Sequence, residues 1–114
     1  MIVKRADQRD WKPAGYEGAE RVLLRSTKEQ GPTYIVRLKA GARGFPHKHA
    51  AGEDFLVLSG KVRLVGEVLG PGDYVFTEAG EEHFLEAIDD SVVYASTPKP
   101  VVILEKLTAV AEKV

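Results

Sequence analysis

Cysteine is absent from all 114 residues, which excludes disulfides, iron–sulfur clusters, thiolate zinc sites and a cysteine nucleophile. Any metal this chain holds must be bound through nitrogen and oxygen. Asparagine is missing too, glutamine occurs only at Gln8 and Gln30, and Met1 is the sole methionine, a depletion of thermolabile side chains found in some thermophile proteins. No apolar run approaches the roughly 20 residues that a membrane-spanning helix requires, so membrane insertion is not expected. Neither sign of charge dominates: 16 Lys and Arg stand against 17 Asp and Glu, a net charge of -1 that leaves no electrostatic footprint for nucleic acid. The N-terminus has charged side chains at Lys4, Arg5, Asp7, Arg9 and Asp10, where an export signal needs an apolar core, and a cytoplasmic protein is therefore expected. No glycine-rich phosphate loop precedes a helix, and Ser59-Gly60 lacks a strand-to-helix nucleophile elbow.

What is present is a series of short apolar runs punctuated by Gly, Pro and Asp, and this pattern predicts an all-β domain. Strands are expected near Arg21 to Ser26, Thr33 to Lys39, Phe45 to His49, Asp54 to Leu58, Lys61 to Val65, Tyr74 to Thr77, His83 to Ala87, Ser91 to Ser96 and Val101 to Leu104. Gly66-Glu67 suits a two-residue hairpin turn with glycine at its first central position. Thr97 to Pro100 reads as a stiff connection, because proline denies a sheet its donor. From Leu104, apolar residues recur at Leu107, Val110 or Ala111, and Val114, near the helical period, which predicts a short C-terminal helix lying across the fold or against a second subunit. The stretch around Trp11 is loop-like, with the indole expected to pack. The length fits a single domain over residues 1–114.

All three histidines fall in one constellation with metal-ligand spacing: His47, His49 and His83, with Glu53 between them. Side chains at i and i+2 of a strand share a face, so His47 and His49 can aim two imidazoles at one point. Glu53 can add a carboxylate from the next strand, and a sheet closed on itself can return His83 to the same spot. Three neutral imidazoles and a carboxylate suit one divalent transition metal, Fe, Mn, Ni, Co, Cu or Zn, and leave two positions open if the metal is octahedral. Alternation sketches the surroundings. Phe45 shares parity with His47, Phe55 and Val57 with Glu53, and Leu85 with His83, while Arg37, left in water, turns Tyr34, Val36 and Leu38 inward. Each of these could be plain core; together they favour a small, mostly apolar organic ligand that chelates the metal through oxygen, with Tyr34, Phe45, Phe55 and Leu85 as the candidate contacts. Lys48 and Asp54 have outward parity, and Glu81-Glu82 reads as a solvated turn.

The spacing Gly41, five residues, His47, one residue, His49, three residues, Glu53, six residues, Gly60 resembles the first motif of the cupin superfamily at every signature position. Gly72, Asp73, Gly80 and His83 resemble its second motif, with Glu78 in place of the motif's Pro and Ala87 in place of its Asn. The resemblance implies one jelly-roll barrel of the double-stranded β-helix type, too short a chain for a duplicated one, and His47, His49, Glu53 and His83 as metal ligands. It also implies pairing into a homodimer through an outer sheet, for which outward Leu56 and Leu58 and the C-terminal tail offer apolar surface. Small cupins similar to diketone-cleaving dioxygenases suggest a metal-dependent enzyme acting on a small oxygen-bearing compound. Those similar to the cupin domain of anti-sigma factors suggest instead a non-catalytic module that binds metal or a small ligand, although this chain has no cysteine or early histidine for the zinc-binding helical domain of such regulators.

Overall fold

The computed structural model describes residues 1–48 and 51–98. His49, the expected strand at Val101 to Leu104 and the expected C-terminal helix lie outside them. A single 3-10 turn, Ala6–Gln8, precedes eleven strands among the described residues: β1 (Lys12–Pro13), β2 (Ala19–Arg25), β3 (Thr33–Leu38), β4 (His47–Lys48), β5 (Glu53–Ser59), β6 (Val62–Leu64), β7 (Glu67–Leu69), β8 (Tyr74–Thr77), β9 (Glu82–His83), β10 (Leu85–Ala87) and β11 (Ser91–Ser96). One sheet has the order β1-β2-β3-β11-β5-β8, with every pair antiparallel. Facing it are β10-β6-β7 and the short pair β4-β9. The segment before β4 ties these two groups together: Gly41 and Gly44 donate to the carbonyls of Ala87 and Leu85, and Ala87 donates back to Ala42. The result is a jelly-roll barrel.

Alternation along the central strands builds the interior. Val93 of β11 lies opposite Val36 of β3 and Val57 of β5, and Val57 and Val93 are wholly buried. The next row inward places Ala95 between Tyr34 and Phe55. A methyl group between two aromatic rings leaves space there. Val62, Leu64 and Ala87 of the facing sheet are buried against this surface, the first two contributing on the order of 1.5–3 kcal/mol each and the alanine methyl about 1 kcal/mol by area removed from water. Arg37 stays outside as expected, 2.9 Å from Glu20 and stacked at 4.2 Å on Trp11, which gives the indole its packing role.

Two expectations need correction. The hairpin between β6 and β7 turns on Val65-Gly66, not Gly66-Glu67, because Glu67 is already paired with Leu64. Both turn residues have positive φ, 50° and 79°, the type I′ geometry in which glycine takes the second central position. The stretch around Trp11 is not all loop, since Lys12 and Pro13 form β1 against Arg21 and Glu20. Proline is tolerated there because β1 is the sheet edge.

Gly60 combines a φ of +86° with an approach so close that a Cβ would sit 2.2 Å from Ser91 Oγ and 2.3 Å from the Asp90 carbonyl. Gly66 has a similar φ, +79°, but open space around it. Denaturant titration is therefore expected to show Gly60→Ala losing about 2 kcal/mol or more of stability, and Gly66→Ala only about 1 kcal/mol from the left-handed backbone alone.

Candidate functional site

His47 and His83 are direct cross-strand partners on β4 and β9, with ring centroids 4.5 Å apart and planes inclined by 57°. His47 Nδ1 lies 2.8 Å from the Phe45 carbonyl oxygen. A carbonyl only accepts, so Nδ1 carries a proton, and in the neutral ring the lone pair is on Nε2. His83 is buried, with Nδ1 3.3 Å from Thr77 Oγ1 and Nε2 3.8 Å from Glu53 Oε1. Glu53 opens β5 directly opposite Thr77, the last residue of β8. Gly52 makes that approach possible, since a Cβ there would lie 2.8 Å from the Thr77 carbonyl oxygen. The two sheets thus meet where the imidazoles and the carboxylate converge.

These three side chains stand in the wall of a cavity of about 100 Å³ whose remaining lining is largely apolar, including Tyr34, Val36, Phe55, Leu64, Leu85 and Val93. Of the expected ligand contacts, Tyr34, Phe55 and Leu85 line it. Phe45 does not: it is 59% exposed, because residues 44–46 are outside any strand and β-alternation does not carry back from His47 through Pro46. His49 lies outside the described residues. Among the described residues the donors do not close into a ready-made cluster of three metal ligands. Their chemistry nonetheless fits a divalent cation: two imidazoles and a carboxylate face one another, and the hydrogen bond of His47 fixes its tautomer in the way that metal-binding imidazoles require.

Three further residues of the site were not singled out in the sequence. Thr77 is the buried partner of His83 Nδ1. Tyr16 reaches into the cavity over Gly44, where a Cβ would come within 3.3 Å of the phenol ring. Arg21, on β2, lies opposite Val36 and stacks at 4.4 Å on the Tyr34 ring. The apolar letters of β2, Val22 and Leu24, point by alternation to the opposite assignment of faces; pairing with β3 settles it, because residues opposite each other in an antiparallel pair share a side. The Tyr16 hydroxyl is pushed up to about 12 by burial first and by the Glu53 carboxylate second, with Arg21 opposing.

A family model for the ChrR cupin-like domain matches residues 1–102. The chain belongs to that family. Among solved structures, this cupin is similar to KdgF from Halomonas sp. at 26% identity, with a TM-score of 0.69 over 83% of this chain and 93% of that one. It is also similar to the anti-sigma factor ChrR of Rhodobacter sphaeroides, solved in complex with SigE, at 25% identity and a TM-score of 0.72 over 82% of this chain. The match spans 50% of the ChrR chain. An acetylacetone dioxygenase from Acinetobacter johnsonii, at 19% identity, shares the fold with a TM-score of 0.75 over 95% of this cupin and 79% of that chain. No curated protein matches it.

The raised Tyr16 value carries a sign. A phenol held neutral by burial contributes stability that is complete below its ordinary value of 10 and is lost as pH rises through about 12. Without added metal, wild type should lose stability relative to Tyr16→Phe across that window. Ultraviolet titration should show a late tyrosinate that the variant lacks, in addition to that of Tyr74, which its hydrogen bond to Asp54 also raises.

Proposed function

We propose that this cupin is a metal-dependent enzyme acting on a small oxygen-bearing compound, and that His47, His49, Glu53 and His83 hold one divalent transition metal. The observation that carries this reading is the meeting of His47, His83 and Glu53 in the wall of a small apolar cavity. When bound, such a metal supplies Lewis acidity and, for a redox-active ion, access to dioxygenase-type chemistry.

The chain's own residues prepare the rest. His47 offers Nε2 because Phe45 holds its other nitrogen, and Thr77 orients His83 from behind. Tyr34, Phe55 and Leu85 pack against the carbon skeleton of a bound ligand and exclude water from it. Glu53, mostly buried and beside His83, is placed to accept a proton from an acidic C–H or O–H of that ligand.

The runner-up reading is a non-catalytic module that senses metal or a small ligand and alters contacts with another protein. It draws on the family match and on ChrR having been solved in complex with SigE. Both readings include pairing of two copies through the outer face of β5 and β8, where Leu58, Tyr74 and Phe76 are exposed. They differ in turnover: the enzyme consumes a ligand or oxygen with metal present, and the sensor changes association without product.

The metal is tested directly. Loaded and desalted wild type should retain about one equivalent by elemental analysis, and His83→Ala should retain little. Thr77→Val, which removes only the hydroxyl behind His83, should weaken metal affinity about tenfold with the fold intact by circular dichroism. Wild type that retains no metal contradicts the reading.

A further inference from the structure

Among the described residues, Arg21 is the one strong cation in the wall of the cavity that holds the histidines. It is half-buried, and among the described residues no carboxylate lies within 4.0 Å of its guanidinium, whereas Arg37 is 2.9 Å from Glu20 and Arg63 is 3.9 Å from Glu86. Taking a guanidinium partly out of water without an anion costs free energy that a bound anion would offset. Its Cζ lies 4.4 Å from the centre of the Tyr34 ring, a cation–π contact that uses no hydrogen-bond acceptor, and its N–H fork is the part that matches a carboxylate. The Tyr16 hydroxyl, a second donor, lines the same space.

A second observation points the same way. On the other side of Arg21 and Tyr34 runs a surface groove lined by Lys4, Arg5, Arg9 and Lys12, with Asp10 as its only acid among the described residues, and Asp10 is already 3.0 Å from Lys12. Arg21 and Tyr34 belong to both walls. In a chain with a net charge of -1, four of the 16 Lys and Arg side chains thus line a groove that adjoins Arg21, where they would raise the local concentration of small anions.

We propose that the ligand of this cavity is a small organic acid, anchored through its carboxylate by Arg21 and Tyr16 and carrying a second oxygen function toward His47, Glu53 and His83. The orientation rests on the metal-site reading; the anchor does not. Size limits the class. A cavity of about 150 Å³ holds benzene, so about 100 Å³ takes an acid of only a few carbons. Arg21 and Glu53 stand on strands three places apart in one sheet, so their side chains approach the row of Tyr34, Ala95 and Phe55 from its two ends.

The test is calorimetric titration of the full chain with pyruvate and with butane-2,3-dione, which share a shape and differ in the carboxylate. Wild type should bind pyruvate at least about tenfold more tightly. Arg21→Met should lose most of that preference and leave the dione within about twofold, with Arg21→Lys between, since a point charge replaces the fork. Pyruvate binding no tighter than the dione in wild type, the case where neither binds included, overturns the proposal. So does a well-folded Arg21→Met that keeps the preference, and if that variant does not fold, the wild-type comparison decides alone. Running the titrations on metal-loaded and chelator-treated protein separates the two readings. A preference that depends on Arg21 in protein that never retains metal supports the acid anchor and sinks the metal site, whereas retained metal with no preference does the reverse.

Discussion

β4 and β9 are only two residues long, and the site exists because His47 and His83 face each other across them. Two-residue strands do not hold a register by themselves; a pair of this length is marginal in water. Here the register is imposed from both sides. The hydrogen bonds from Gly41 and Gly44 to β10 fix the chain entering β4, and the pairing of Glu53 with Thr77 fixes the chain entering the turn before β9. A slip of one residue at either place would turn an imidazole out of the barrel. The close approach at Gly52 shows how tightly the second constraint is drawn.

From that meeting point the character of the cavity follows. The large sheet supplies Tyr34, Ala95 and Phe55 in one row and Arg21, Val36 and Val93 in the next, so a mostly apolar floor carries one cation at its far edge. The nitrogen and carboxylate donors sit at the other end of the sheet order, on β5 and on strands of the facing layer. Polar groups at two ends of a small apolar space, with carbon-lined walls between, are the arrangement that orients a short bifunctional molecule. Tyr16 reports the balance of these charges: burial and Glu53 hold its phenol neutral, and Arg21 pulls the other way.

Much of this could be read from the letters because strand periodicity is short and strict. The i, i+2 spacing and the cupin motif spacing named the histidines and Glu53, and parity placed Tyr34, Phe55 and Leu85 on the cavity side and Arg37 outside. Where the reading failed, local pattern and pairing disagreed. Phe45 carries the parity of His47 but sits beyond Pro46, outside any strand, so its side chain faces solvent. The turn at Val65-Gly66 puts a β-branched residue at positive φ, against residue preference, because the pairing of Leu64 with Glu67 leaves no other closure. Arg21 was hidden by apolar Val22, whose own burial is on the outer face of the sheet; only the register against β3 reveals the sides.

The most direct measurement is X-ray absorption at the edge of the bound metal in loaded wild-type protein. A first shell of nitrogen and oxygen with multiple scattering from at least two imidazoles, reduced by one in His83→Ala, is the result expected if the cross-strand histidines hold the ion. A shell without imidazole scattering, or one unchanged in that variant, would place the metal elsewhere and remove the basis of the account.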